Sequence, residues 1–190
     1  MPLVLNVSSG HDSHILVTGN LFLKNASVIL SAPRWRHTTT TTGVDSFVIT
    51  GNMFSCKSDP SFGACEREAV ILDQTGSHFG SVRNTKIEDN RVDNDAGYRS
   101  TKARRTVRAE NTSSVLLDFS QDLLFPSAPL INGSATCTLI NGNPVTHSLR
   151  LGPDELSGLT SLQLRVDFGQ TWSGQVQCTV DQSEYSQCAL

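Results

Sequence analysis

Eight residues are written almost identically twice in this chain, as ILVTGNLF (Ile15–Phe22) and FVITGNMF (Phe47–Phe54), and a looser third copy reads TKIEDNRV (Thr85–Val92). Val17, Ile49 and Ile87 share one slot of this phrase, Asn20, Asn52 and Asn90 another, and Phe22, Phe54 and Val92 a third. After each copy comes a short apolar run: SVIL at Ser27–Leu30, AVIL at Ala69–Leu72 and SVLL at Ser114–Leu117. Strands this short and apolar cannot bury themselves alone, but stacked copies complete one another's core. Parallel strands about 4.8 Å apart would place equivalent residues in ladders. The Asn slot falls at a bend, where Asn tolerates a left-handed backbone and its amide can bond to the Asn of the next copy.

This pattern of apolar alternation, Asn and then a large apolar residue resembles the right-handed parallel β-helix family, the fold of pectate lyases, chondroitinase-type lyases and phage tailspikes. The resemblance extends over roughly residues 3 to 125 and implies a fold rather than an activity. A β-sandwich with two similar hairpin strands is the competing reading. Composition supports an all-β chain in either case. Aromatics make up 6% and hydrophobic residues 37%, and no long helical periodicity is present. From about Ser127 the pattern changes to apolar/polar alternation with NG, NP and SG turn signals, as expected of antiparallel strands. The expected organisation is therefore a right-handed parallel β-helix over 1–126 and a small antiparallel β cap over 127–190, covering the sheet edges at the open end.

A formal net charge of −3 and a pI near 5.9 give no reason to expect nucleic acid as partner. No stretch reaches the roughly 20 apolar residues of a membrane span. The opening MPLVLNVSSGHD has neither the basic start nor the apolar run of a signal peptide, and reads as a strand from the C-terminal portion of a longer protein. Cys56 and Cys65 bracket a loop that closes easily, and Cys137, Cys178 and Cys188 follow late in the chain, so two bridges and one further thiol are the simplest accounting. Zinc-type spacing is absent. Disulfides, with sequons at Asn6, Asn25, Asn111 and Asn132, point to an extracellular, cell-surface or virion location.

Two clusters are candidates for chemistry. In the third unit the connection after the Asn slot is a basic insert with Arg99, Lys102, Arg104, Arg105 and Arg108, while Arg34, Trp35, Arg36 and His37 form RWRH. Guanidinium groups bind carboxylates or sulfates bidentately, and an aromatic face packs on a sugar ring, so an acidic polysaccharide would suit this surface. In lyases of the similar family an Arg or Lys takes the proton α to the uronate carboxylate; the resemblance makes Lys102, Arg104 and Arg105 the positions for such roles. The second cluster is Asp73 and Asp118, each directly after an apolar run. In register they would stand about 5 Å apart on adjacent strands, with Ser31 in the same column. Such a pair can share a proton, bind Ca²⁺ or serve as a hydrolase pair. Solvated turn residues are the plainer reading of both clusters.

Gly10-His11-Asp12 is compared with the Gly-His-Gly of β-helix polygalacturonases, but the acidic partner motifs of that group are missing. Outward Ile29, Ile71 and Leu116 would form an apolar stripe that meets a loop, the cap or another subunit. Tailspikes of this fold class form trimers through such faces, so a homotrimer is one expectation. Two function classes follow: a carbohydrate-active lyase or hydrolase for acidic polysaccharide, and a non-catalytic glycan-binding or structural module of a fibre, spike or surface protein.

Overall fold

The computed structural model describes residues 3–6, 14–23, 28–31, 42–55, 69–73, 79–93, 98–125, 130, 134–154 and 158–186. All its regular elements are strands. The chain divides into two compact units, one running to Thr101 and resuming at Ser183, the other spanning Lys102–Gln182.

In the first unit the chain passes repeatedly through the same small sheets. Strands β1 (Leu3–Asn6), β2 (Ile15–Thr18) and β3 (Leu21–Leu23) make the first pass. The second comprises β4 (Val28–Ser31), β5 (Thr42–Asp45), β6 (Phe47–Thr50) and β7 (Met53–Ser55), and the third β8 (Val70–Asp73), β9 (Phe79–Arg83), β10 (Lys86–Glu88) and β11 (Arg91–Asp93). Equivalent strands pair in parallel, giving sheets ordered β1-β4-β8, β2-β6-β10 and β3-β7-β11, with β5 beside β9.

The registers follow the repeated phrase. Val17 pairs with Ile49 and Ile49 with Ile87, while Phe22 pairs with Phe54 and Phe54 with Val92. The inward residues Val17, Ile49, Ile87, Val28, Val70, Phe47 and Phe54 are buried, and the Phe22 and Phe54 rings stack at 4.7 Å and 6°. The left-handed residue at the bend is not the Asn. Gly19, Gly51 and Asp89, each one residue earlier, have φ of 65°, 63° and 55°. The Asn side chain is thereby free to bond along the stack.

The third apolar run departs from the expected stack. Val28–Ser31 pairs with Val70–Asp73, but Ser114–Leu117 lies in the second unit, within β12 (Lys102–Asp118). Leu116 therefore does not extend the Ile29–Ile71 column; it pairs with Arg165. Ala103, Val107 and Ala109, with Arg105 in the same register, mark a period of two after Lys102, and β12 is one long antiparallel strand rather than a loop plus a stacked strand. The change of architecture accordingly falls at Thr101/Lys102, where the sequence had suggested 126/127.

The second unit also contains β13 (Ala135–Ile140), β14 (His147–Leu151) and β15 (Gln163–Asp181). β15 pairs antiparallel with β12 on one side and with β13 and β14 on the other. Register shifts between Ala109 and Ser114 break β12 into two halves. Both halves contribute to one core: Leu117, Leu164, Val166 and Phe168 cluster with Ala103, Ala109, Val176, Cys178 and Val180. Cys137 is bonded to Cys178, which it faces directly across the ladder. After β15 the chain returns to the first unit, where β16 (Tyr185–Ser186) pairs antiparallel with β9. Among the described residues no helix is long and apolar enough to cross a membrane.

Candidate functional site

The most ordered polar feature is the Asn ladder of the first unit. Asn20 donates through its backbone N (3.0 Å) and Nδ2 (3.1 Å) to Asn52 Oδ1, and Asn52 does the same to Asn90 Oδ1 at 3.0 and 2.9 Å. Asn52 Nδ2 also donates to Val17 O and Asn90 Nδ2 to Ile49 O, so each amide also reaches back to the preceding strand. Asn52 Oδ1 and Asn90 Oδ1 thus both accept from the Asn of the preceding pass. At the far end Asn90 Nδ2 donates to the Tyr98 hydroxyl, and Thr101 bonds Ile87 through backbone N and Oγ1, so residues 98–101 terminate the stack. Burial pushes the Tyr98 hydroxyl above its ordinary pKa, which keeps it neutral.

The basic segment is split by strand alternation. Lys102, Arg104, Thr106 and Arg108 lie on the exposed face of β12, while Ala103, Val107 and Ala109 face the core. Across the ladder stand Asp181, Thr179, Gln177 and Gln175, with Gln177 Nε2 donating to Thr106 Oγ1 at 3.3 Å. Charges on this face are partly matched: Lys102 sits opposite Asp181 in register, and Arg108 Nε pairs with Glu110 at 2.9 Å. Arg105 points the other way and pairs through Nε with Asp122, in the turn where Asp122 N donates to Phe119 O. Arg99 is half-buried in the first unit. Arg34, Trp35, Arg36 and His37 lie outside the described residues, as do Gly10-His11-Asp12, Cys56, Cys65 and Cys188.

The expected Asp73–Asp118 pair does not form by register. Asp73 pairs with Ser31 in a parallel sheet, whereas Asp118 pairs with Gln163 in the antiparallel one. Asp118 instead closes a local turn, accepting from Ser120 N at 2.8 Å and from Gln163 Nε2 at 3.2 Å. The Ser120 hydrogen bonds, then the one from Gln163 and the charge of Arg105, hold its carboxyl below the usual range. Asp118 is therefore a stable anion at neutral pH and a poor proton donor.

Sequence reasoning missed Asp122 and a second charged group, in which Arg165 Nε and Arg150 Nε lie 2.7 and 2.8 Å from the two oxygens of Asp167. Only the Arg165 contact is aligned as a hydrogen bond; Asp167 Oδ2 is buried without one, so Arg150 supplies charge alone. No motif marks these residues, although Arg165 and Asp167 at i and i+2 on a strand would be expected to share a face. Two grooves lie among the described residues of the unit. One, of about 420 Å³, is lined by Arg108, Glu110, Asn141, Ser173 and Gln175; the other, of about 230 Å³, by Ser114, Leu116, Gln163 and Arg165. Among the described residues no cluster of three His, Cys, Asp or Glu side chains is arranged to hold a metal ion. Compared with protein-family models, curated proteins and solved structures, the chain matches none.

Proposed function

We propose that this chain is a non-catalytic structural module of an extracellular or virion-borne surface protein, with glycan contact confined to its polar antiparallel sheet. In this reading the described parallel strands β1 to β11 belong to a parallel β-helix of the kind the repeated phrase resembles. In-register pairing of equivalent strands on successive passes and the continuous Asn ladder support that winding. The observation that carries the functional reading is the contrast between this continuity and the scattering of the groups suited to catalysis. Within the second unit Arg105 is tied to Asp122, Asp118 closes its own turn with Ser120 and Gln163, and Lys102 and Arg104 stand on an open face. A proton-abstracting lyase needs base and charge-withdrawing cation converging on one carbon, and a hydrolase needs two carboxyls facing one bond.

The test is incubation with a panel of acidic and neutral polysaccharides, following ultraviolet absorbance from unsaturated products and new reducing ends. Every substrate should survive, while weak, salt-sensitive retention on an acidic polysaccharide column should fall in Arg104→Ala. Cleavage abolished by Arg105→Ala or Asp118→Asn would overturn the structural reading and restore the enzymatic one.

A further inference from the structure

Resting on the extracellular reading, we propose that Asn111 is an N-glycosylation site, its side-chain amide carrying an N-linked oligosaccharide. Asn111-Thr112-Ser113 is an acceptor triplet, a motif whose modification is expected on exposed, irregular backbone rather than within a regular strand. This one lies where β12 is irregular. Between Ala109, which faces Gly174, and Thr112, which faces Trp172, β12 has two residues against one on β15. Asn111 adopts φ of 49°, a left-handed conformation that Asn accepts more readily than most side chains. Its backbone N is satisfied by Ser173 Oγ at 2.8 Å, leaving the side chain out of the ladder.

The triplet's own geometry fits the modification. Asn111 and Ser113 are both exposed, while Thr112 is half-buried with its hydroxyl donating to Ser114 O at 2.9 Å. The Asn111 amide bonds to no described residue, so a glycan there displaces no internal interaction. Asn111 is also the acceptor Asn whose side-chain exposure the structure describes; Asn25 and Asn132 lie outside the described residues. The Cys137–Cys178 bridge in the same unit belongs to the oxidising compartment where such transfer takes place.

In the transfer, Asn111 Nδ2 attacks the anomeric carbon of a polyprenyl-pyrophosphate-linked oligosaccharide supplied by that compartment. The N–C bond forms, the C–O bond to pyrophosphate breaks, the lipid pyrophosphate leaves with the electron pair, and one amide proton passes to a base of the transferase. The consequence is protective. β12 is the outer strand of its sheet among the described elements, and a bulky hydrated group on its bulge would keep that edge from pairing with another copy.

The full chain, fused to a cleavable secretion leader and made in cultured animal cells, is digested and treated with peptide N-glycosidase in heavy-oxygen water. Both cell-associated and secreted fractions are read by mass spectrometry. Peptides containing residue 111 should carry heavy-oxygen-labelled Asp, and intact mass should fall by one glycan in Asn111→Gln and Ser113→Ala but not in Thr112→Ala. Disulfide mapping of Cys137 and Cys178 on the same samples separates the two readings. A bare Asn111 with the pair oxidised refutes the site alone; a bare Asn111 with both thiols free refutes the site and the extracellular reading together.

Discussion

The Asn ladder makes its middle member the costliest to remove. Asn52 is 1% exposed and serves both neighbours: its Oδ1 accepts from Asn20 N and Nδ2, and its Nδ2 donates to Val17 O, Thr50 O and Asn90 Oδ1. In Asn52→Ala the carbonyls Val17 O and Thr50 O each lose a partner, while the exposed Asn20 N turns to water. At about 1 kcal/mol or more for every polar group left unsatisfied away from water, the loss sums to about 2 kcal/mol or more. For a unit of this size that corresponds to a fall in Tm of roughly 8 °C or more. Asn20→Ala removes the same chemical group from the exposed end of the ladder, where water replaces the lost bonds, and should cost about 1 kcal/mol or less. Denaturant titration gives the global values. Because two units need not unfold together, hydrogen exchange of peptides covering residues 15–23 and 47–55 assigns the loss to the first unit. If Asn52→Ala costs no more than Asn20→Ala, the ladder is decoration and the reasoning is wrong.

Further outcomes concern the second unit. Gly174→Ala would drive a Cβ into the Asn141 carbonyl and the Trp172 ring, so it should destabilise by about 1–3 kcal/mol, read from the denaturation midpoint; a neutral effect would mean that the Trp172 packing is loose. Reducing Cys137–Cys178, a bridge with sequence separation 41, should cost about 4 kcal/mol on the loop-entropy account, with faster exchange in β13 and β15 and no change in β2 or β6. The Asp118 carboxyl is depressed in the folded state, so its stabilisation is present above the unfolded value of about 3.9 and is lost as pH falls through the folded value. The stability gap between the wild type and Asp118→Asn should therefore narrow below about pH 4. A gap equally wide at pH 7 and pH 2 would show that hydrogen-bond geometry, not charge, is responsible.

The repeated phrase was legible where stacking leaves little choice and illegible elsewhere. Inward columns stay apolar because each residue must fill the layer between its neighbours, as in Val17, Ile49 and Ile87. Outward columns carry no such demand: Leu16 aligns with Val48 and then Lys86, and Leu21 with Met53 and then Arg91. A V-[IL]-L run, by contrast, meets the needs of any buried strand, so Ser114–Leu117 imitates the stacked runs while pairing antiparallel with Leu164–Asp167. The discriminating signal lay upstream. Ala103, Val107 and Ala109 keep a period of two after Lys102, interrupted by Arg105, over a length that the stacked strands, of three to five residues, never reach.

That distinction also explains why the candidate site was harder to read than the fold. Arg104 and Arg105 are adjacent in sequence, which suggests one cationic cluster, yet adjacency on a strand sends them to opposite faces. Arg105 then meets Asp122, a residue of the turn in which Asp122 N donates to Phe119 O. A charge cluster counted along the chain holds together only if the segment is a loop. Once the segment is a strand, its two faces must be treated as separate surfaces. The exposed face retains Lys102, Arg104 and Arg108 among Thr and Gln side chains, an open cationic surface rather than the converging site that proton abstraction requires.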